Sequence, residues 1–491
     1  MKQSLLLVLA LTTLCLLSAC GSGGGSTTPP PPSPATHFSV TAPAAATAGT
    51  AFSFSVTALD ASNNTATSYS GKVQFTSTDS QAVLPANSTL ASGSGMFSAT
   101  LNTAGSETIS AMDTVTASIT GTSSAITVTA ASGFQPVGNM ETPRAEHTAS
   151  LLSTGQVLVA GGIDNNNSTV LASAELFDPS TAAFTPTGGL VTARAGHTAV
   201  ALNTGKILVA GGVDPNANFL ASAELYDPTS GTFTATGSMS TARSAFTATL
   251  LQDGRVLVTG GQDSISDVLS SAELFDPASG TFSPAGSMTA ARSQQSAALL
   301  QNGSVLVAGG HDVSGNAIAT AELFDPGSGT FTLTGSLNSA RFAHAATTLS
   351  SGMVLVAGGT DGNGGTLASA ELFDPGSGTF SLTGALNTAR LLHLATLLND
   401  GTVLVTGGAT LTAVNCGTGC QTFEPVSIAS TELFDPTAGT FSTAASMEVP
   451  RSQHTATLLT GGTVLVTGGL RAMVQGRMFV VTVLASAEEF Q

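Results

Sequence analysis

Between residues 37 and 130, apolar and polar positions alternate with a period of two. Phe52, Phe54 and Val56 alternate with Ser53, Ser55 and Thr57, and the pattern returns at Val73 and Phe75, at Phe97, Ala99 and Leu101, and at Ile126 and Val128. Side chains two apart share one face of a strand, so each run predicts a strand with one buried face. Turn-forming clusters at 60–64 and 102–105 separate the runs. Short alternating strands at this spacing predict an antiparallel β-sandwich over 37–130.

From Phe134 the pattern changes to a long repeat. One unit reads Thr-Ala-Arg-x-x-His-Thr-Ala-x-Leu-Leu, then Gly-x-Val-Leu-Val-Ala-Gly-Gly, then after a variable stretch Ala-Glu-Leu-Phe-Asp-Pro-x-x-Gly-Thr-Phe. The double glycines begin at Gly161, Gly211, Gly260, Gly309, Gly358, Gly407 and Gly468. Seven copies of about 50 residues are the signature of a propeller. Each unit predicts four strands, a to d. Strand b, Val-Leu-Val-Ala, is apolar throughout and suits burial on both faces. Asp-Pro with a following Gly turns c into d. The region opens on a segment matching strand d (134–140) and ends on one matching strand c (487–491). The N-terminal segment is therefore expected to close the last blade of 134–491.

Composition narrows the function classes. Only 9 % of residues are charged, with 13 Lys+Arg, 30 Asp+Glu and a net charge of −17, where an ordinary soluble protein carries about a quarter. So few cations exclude the electrostatic footprint of a nucleic-acid binder. Much of the charge belongs to the repeat, as Arg144, Arg194, Arg243, Arg292, Arg341, Arg390 and Arg451, and as Glu175, Glu224, Glu273, Glu322, Glu371, Glu432 and Glu488.

The N-terminal residues suggest an address. A charged start precedes an apolar stretch over 5–17, which ends in Leu-Ser-Ala-Cys at Cys20. This segment resembles a bacterial lipoprotein signal peptide (1–19). The resemblance implies lipidation of Cys20 and a membrane anchor, with Gly21 in place of Asp favouring the outer membrane. Residues 20–36, rich in Gly, Ser and Pro, read as a tether. Beyond Cys15 and Cys20, only Cys416 and Cys420 remain. In an exported protein they could close a local disulfide, the alternative being a metal pair for which no further ligand lies nearby.

The glycine pair and the Glu-Leu-Phe/Tyr-Asp strand resemble kelch repeats of the galactose-oxidase type, and the first domain resembles bacterial Ig-like domains. The expected fold is all-β: a seven-bladed kelch-like β-propeller preceded by an Ig-like β-sandwich. The copper site of galactose oxidase needs Tyr and His ligands and a Tyr–Cys crosslink, but this chain has only Tyr69 and Tyr226. No catalytic residue, metal site or cofactor is assigned, and no acid–base pair stands out from the repeat.

Binding is expected on the face carrying the b–c loops, because these differ in every copy while the opposite turns are nearly constant. The sixth loop (409–428) is the longest. The seventh (470–483) carries Arg471, Arg477, Met473, Met478 and Phe479, which makes Arg471, Arg477 and Phe479 the candidate ligand contacts. The seven periodic Arg lie on the same face and allow two readings. They form a cationic ring for anionic sugars or acidic peptides, or each pairs with the Glu of its own unit. His147, His197, His344, His393 and His454 recur three residues after the Arg, with Phe246 and Gln295 in the other two copies. One residue per blade is not a converging ligand set, so packing is the simpler role. The Asp residues after the glycine pairs, Asp361 among them, read as turn formers.

The expected function is that of a non-catalytic envelope lipoprotein which binds a glycan or protein through the variable face. The alternatives are a carbohydrate-active enzyme, oxidase- or epimerase-like, with its site in the channel, and a purely structural envelope protein.

Overall fold

The computed structural model describes residues 33–129, 133–164, 169–263, 267–417, 420–475 and 478–491, without the side chains of 415–421. The regular elements among the described residues are all strands. The chain divides into two compact units with the boundary at residues 131 and 132.

In the N-terminal unit, His37–Thr41, Ala51–Leu59 and Ser94–Thr100 form one antiparallel sheet. Ser88–Thr89, Lys72–Ser77, Ile109–Asp113 and Thr120–Thr122 form a second. Their inward residues share one core that includes Phe54, Val56, Val73, Phe75, Ala99, Leu101, Ile126 and Val128, the positions that the alternation marks. A third small sheet departs from the antiparallel expectation, because Ala45–Thr47 pairs parallel with Ile126–Thr129.

The second unit is a ring of seven four-stranded blades. In the first, strands Thr148–Leu151, Val157–Ala160, Ala174–Asp178 and Ala183–Thr187 run in the order a to d. Every residue of strand b is buried in all seven blades, as expected for a strand sandwiched between neighbouring blades. A Phe or Tyr of strand c meets the Phe of strand d in six blades, with ring centroids 4.8–4.9 Å apart. In the seventh blade Phe134–Pro136 supplies strand d, pairing antiparallel with Ala487–Phe490. Phe134 there meets Phe490 at 5.1 Å.

Strands a line the axis, each touching the strand a of the next blade, and the seventh returns to the first. The glycine pairs join the blades. The second Gly of each blade donates its N–H to the carbonyl of the next blade's Arg, from Gly162 to Arg194 at 2.9 Å round to Gly469 and Arg144 at 2.9 Å. The first Gly must be Gly. Gly260 has φ +63°, and a Cβ there would lie 2.6 Å from the Arg292 carbonyl oxygen.

Candidate functional site

The periodic arginines are fully buried and paired. Arg144–Glu175, Arg194–Glu224, Arg243–Glu273, Arg292–Glu322, Arg341–Glu371, Arg390–Glu432 and Arg451–Glu488 lie 2.6–3.0 Å apart. Each guanidinium also donates to two carbonyls. In the fifth blade these are Gly358 and Ser369, both at 2.8 Å. The glutamate in turn accepts backbone N–H groups from the segment that enters its blade, as Glu371 does from Asn338 and Ser339. Each pair therefore ties the incoming interblade segment, the glycine pair and strand c together. The cationic-ring reading fails on this geometry, since all seven arginines are fully buried and their Nη groups bond inside the blades.

Four of the five histidines bind across blades. His147 Nε2 meets Thr467 Oγ1, His197 meets Thr148, His344 meets Ser296 and His454 meets Thr406, at 2.8–3.1 Å. Burial, reinforced by the neighbouring Arg charge, drives the pKa of His197, His344 and His454 down to about 3. His147 and His393 are pushed well below the ordinary value for the same reasons. All five are neutral at physiological pH.

The residue before each of these positions was not singled out in the sequence. Glu146, Gly196, Ala245, Gln294, Ala343, Leu392 and Gln453 all have φ between 52° and 60°. They form a rim around the axis, where the N–H of one residue donates to the carbonyl of its neighbour, as in Gln294 to Ala245 and Leu392 to Ala343. Glu146 is the one charged member, its carboxyl pKa raised by burial. Only one copy uses Gly, so composition hides the shared backbone conformation.

The b–c loops of blades one to five are short turns, each closed by an isolated bridge such as Val213 to Phe219. Asp361 is a turn former there, accepting the N–H groups of Asn363 and Gly365. Loops six and seven are instead β-hairpins, Ala409–Gly417 with Cys420–Ser427 and Leu470–Gln475 with Met478–Val483. They pack against each other, and Ser427 Oγ joins them by accepting the N–H of Ala472 at 3.0 Å and donating to the Leu470 carbonyl at 2.9 Å. Leu411 N–H reaches Thr366 of the fifth blade at 2.9 Å. Phe423, Met478 and Val481 remain 50 %, 65 % and 39 % exposed. Arg471 is exposed and has no carboxylate partner among the described residues, whereas Lys206 and Arg255 pair with Asp227 and Asp253. Phe479 is half-buried. Arg477 and Cys20 lie outside the described residues, as do the side chains of Cys416 and Cys420.

Tyr69 bonds Asp113 in the N-terminal unit, and Tyr226 is a core residue of the second blade held by Thr187 at 2.9 Å. No group of three or more potential metal ligands occurs among the described residues.

Comparison with known proteins agrees with the architecture. The Kelch motif matches residues 193–240 and 243–289. Among solved structures, a fungal alcohol oxidase of the AA5 family in complex with copper superposes with a TM-score of 0.57 at 18 % identity, over 73 % of this chain and 76 % of that one. YjhT superposes with a TM-score of 0.47 at 13 % identity, over 62 % of this chain and 99 % of that one. No curated protein matches the chain.

Proposed function

We propose that this kelch-type propeller is a non-catalytic binding module of the cell envelope, gripping a glycan or protein partner on the face that carries the b–c loops. The observation behind this reading is the pair of joined hairpins. They carry exposed Phe423, Met478 and Val481 together with Arg471, which is exposed and has no carboxylate partner among the described residues. Exposed apolar side chains grouped on a rigid support mark interaction surfaces. The likeness to an alcohol oxidase gives no reason to assign oxidation here, because Tyr226, the one Tyr of the propeller unit, is a buried core residue of the second blade. Glycan and peptide arrays probed with the full chain test the reading. Capture should be lost in Phe423→Ser/Met478→Ser and weakened in Arg471→Ala, with the thermal transition unchanged. Full capture by these variants, or turnover of any probed sugar, overturns it.

Attachment through a lipid on Cys20 belongs to the same proposal and rests on the apolar stretch and Leu-Ser-Ala-Cys alone. Radiolabelled palmitate should enter the wild-type chain and not Cys20→Ala.

A further inference from the structure

The hairpin of the seventh blade has one covered edge and one open edge. Strand Leu470–Gln475 lies against the sixth hairpin, where the Ala472 N–H donates to Ser427 Oγ at 3.0 Å. Leu470 exchanges both of its backbone bonds with Ser452, at 2.8 and 3.0 Å. Peptide groups alternate sides along a strand. Leu470 and Ala472 therefore point away from Met478–Val483, while Arg471 and Met473 point towards it. The register sets Arg471 against Thr482, Ala472 against Val481, Met473 against Val480 and Val474 against Phe479. Thr482 and Val480 thus bond back into the hairpin, and Phe479 and Val481 turn their N–H and C=O groups outward. The Leu484 N–H, which donates to the Gly469 carbonyl at 2.9 Å, fixes the same phase. On that outer side neither Phe479 nor Val481 has a backbone partner among the described residues.

Elsewhere the chain guards such edges. The outermost strands of three blades carry Pro136, Pro186 and Pro284, each set against the buried Glu of strand c. In two of these blades the next residue, Val137 or Ala285, donates inward to the carbonyl of Ala487 or Ala272. The proline there occupies an outward place and removes its donor, which blocks the addition of a further strand. Met478–Val483 reads Met-Phe-Val-Val-Thr-Val, with no Pro and no charge. An open, apolar, unguarded edge is a template for a further strand.

Charge selects that strand. Arg471 is exposed without a carboxylate partner, in a chain of net charge −17. The side chains of Arg471, Thr482, Val480 and Met478 share one face of the hairpin. A residue added opposite Thr482 lies two strand spacings from Arg471, roughly 10 Å, within the joint reach of an Arg and a Glu side chain. Positions opposite Val480 and Met478 on the same face suit apolar residues. A second copy of this chain is the poorer occupant, since it brings a further −17 and its own open edge holds no acidic residue.

We propose that the open edge of Met478–Val483 takes up an extended protein segment by strand addition, through the peptide groups of Phe479 and Val481, and that an acidic residue of the segment pairs with Arg471. This inference rests on the binding face proposed above and narrows its partner to a protein with an exposed acidic and apolar strand. The probe is the capped peptide Ser-Glu-Thr-Val-Thr-Val-Ser, whose antiparallel docking sets Glu opposite Thr482 and the two Val opposite Val480 and Met478. Fluorescence anisotropy with the full chain reads binding, and hydrogen exchange of segment 478–483 reads the backbone pairing. The peptide should bind and slow the exchange of the Phe479 and Val481 amides. Replacing its Glu by Lys, or N-methylating its two Thr, should each weaken binding at least tenfold. Val481→Pro copies the guard at Pro284 and spends no bond of the hairpin, so it should keep the wild-type thermal transition and lose at least tenfold in affinity. Arg471→Glu should reverse the preference to the Lys peptide. Strand addition is overturned if the Glu peptide does not bind, if the N-methylated peptide or Val481→Pro binds as the wild-type pair does, or if exchange in 478–483 is unchanged at saturation. Should array capture still be lost in Phe423→Ser/Met478→Ser, the binding face stands with another kind of partner; should that capture survive as well, both readings fall. Dimers of the wild-type chain in sedimentation that Val481→Pro abolishes would assign the edge to a second copy and overturn the acidic partner.

Discussion

Arg341→Met removes one spoke of the ring. In the native chain the guanidinium makes four bonds of 2.8–2.9 Å, to the Gly358 and Ser369 carbonyls, Ser369 Oγ and Glu371 Oε1. Both partners of the ion pair are fully buried. Breaking a buried pair from one side leaves an uncompensated charge and costs about 3–5 kcal/mol. Glu371 keeps the N–H groups of Asn338 and Ser339, which favours the lower part of that range. With an unfolding entropy of ~2.1 cal/mol/K per residue over a ring of roughly 360 residues, Tm falls by ~4–7 °C. Calorimetry of the full chain reads the propeller transition directly. Arg341→Met/Glu371→Leu should fall by less than the sum of the single variants, because no orphan charge remains. A Tm loss below about 1 °C, combined with lost partner capture, would refute the architectural role and return the arginines to ligand binding.

Three further outcomes follow from the same geometry. His344 stays neutral in the fold with its pKa pushed down to about 3, while the unfolded chain protonates near pH 6.5. Its stabilising contribution is therefore full above that pH and is lost as pH falls towards 3, so His344→Gln should flatten the Tm-versus-pH slope between about pH 6 and 4; an unchanged slope refutes this. Phe134→Ala deletes the aromatic contact across the closing strand and should cost about 1–3 kcal/mol, with faster proteolysis after residue 134 as the readout. Gly260→Ala drives a Cβ against the Arg292 carbonyl at a positive φ and should cost about 2 kcal/mol or more, measured by the shift in the thermal transition.

The parts of the fold that were legible in the sequence are those whose physics repeats. Strand b is Val-Leu-Val-Ala or Val-Leu-Val-Thr with little change because every copy fills the same two-sided burial, and the Arg and Glu recur in equal number because each blade needs one pair. The leftover strands at the two ends of the repeat announce the split seventh blade for the same reason. What stayed hidden depends on backbone geometry or on single copies. The rim conformation is shared by residues as different as Glu146, Ala245, Leu392 and Gln453. Interblade hydrogen bonds impose it, so no residue type reports it, and Gly196 alone carries the usual signal. A cavity at the axis inherits this concealment, since Gln295 and Gln453 of its wall stand at positions where the repeat varies. Gln295 stands where five blades have His and one has Phe. In a ring built by repetition, the departures from the repeat carry the chemical information: the constant arginines, once paired, can only hold the blades. Gln295 and Gln453 depart from their neighbours and keep acceptors that the fold does not use.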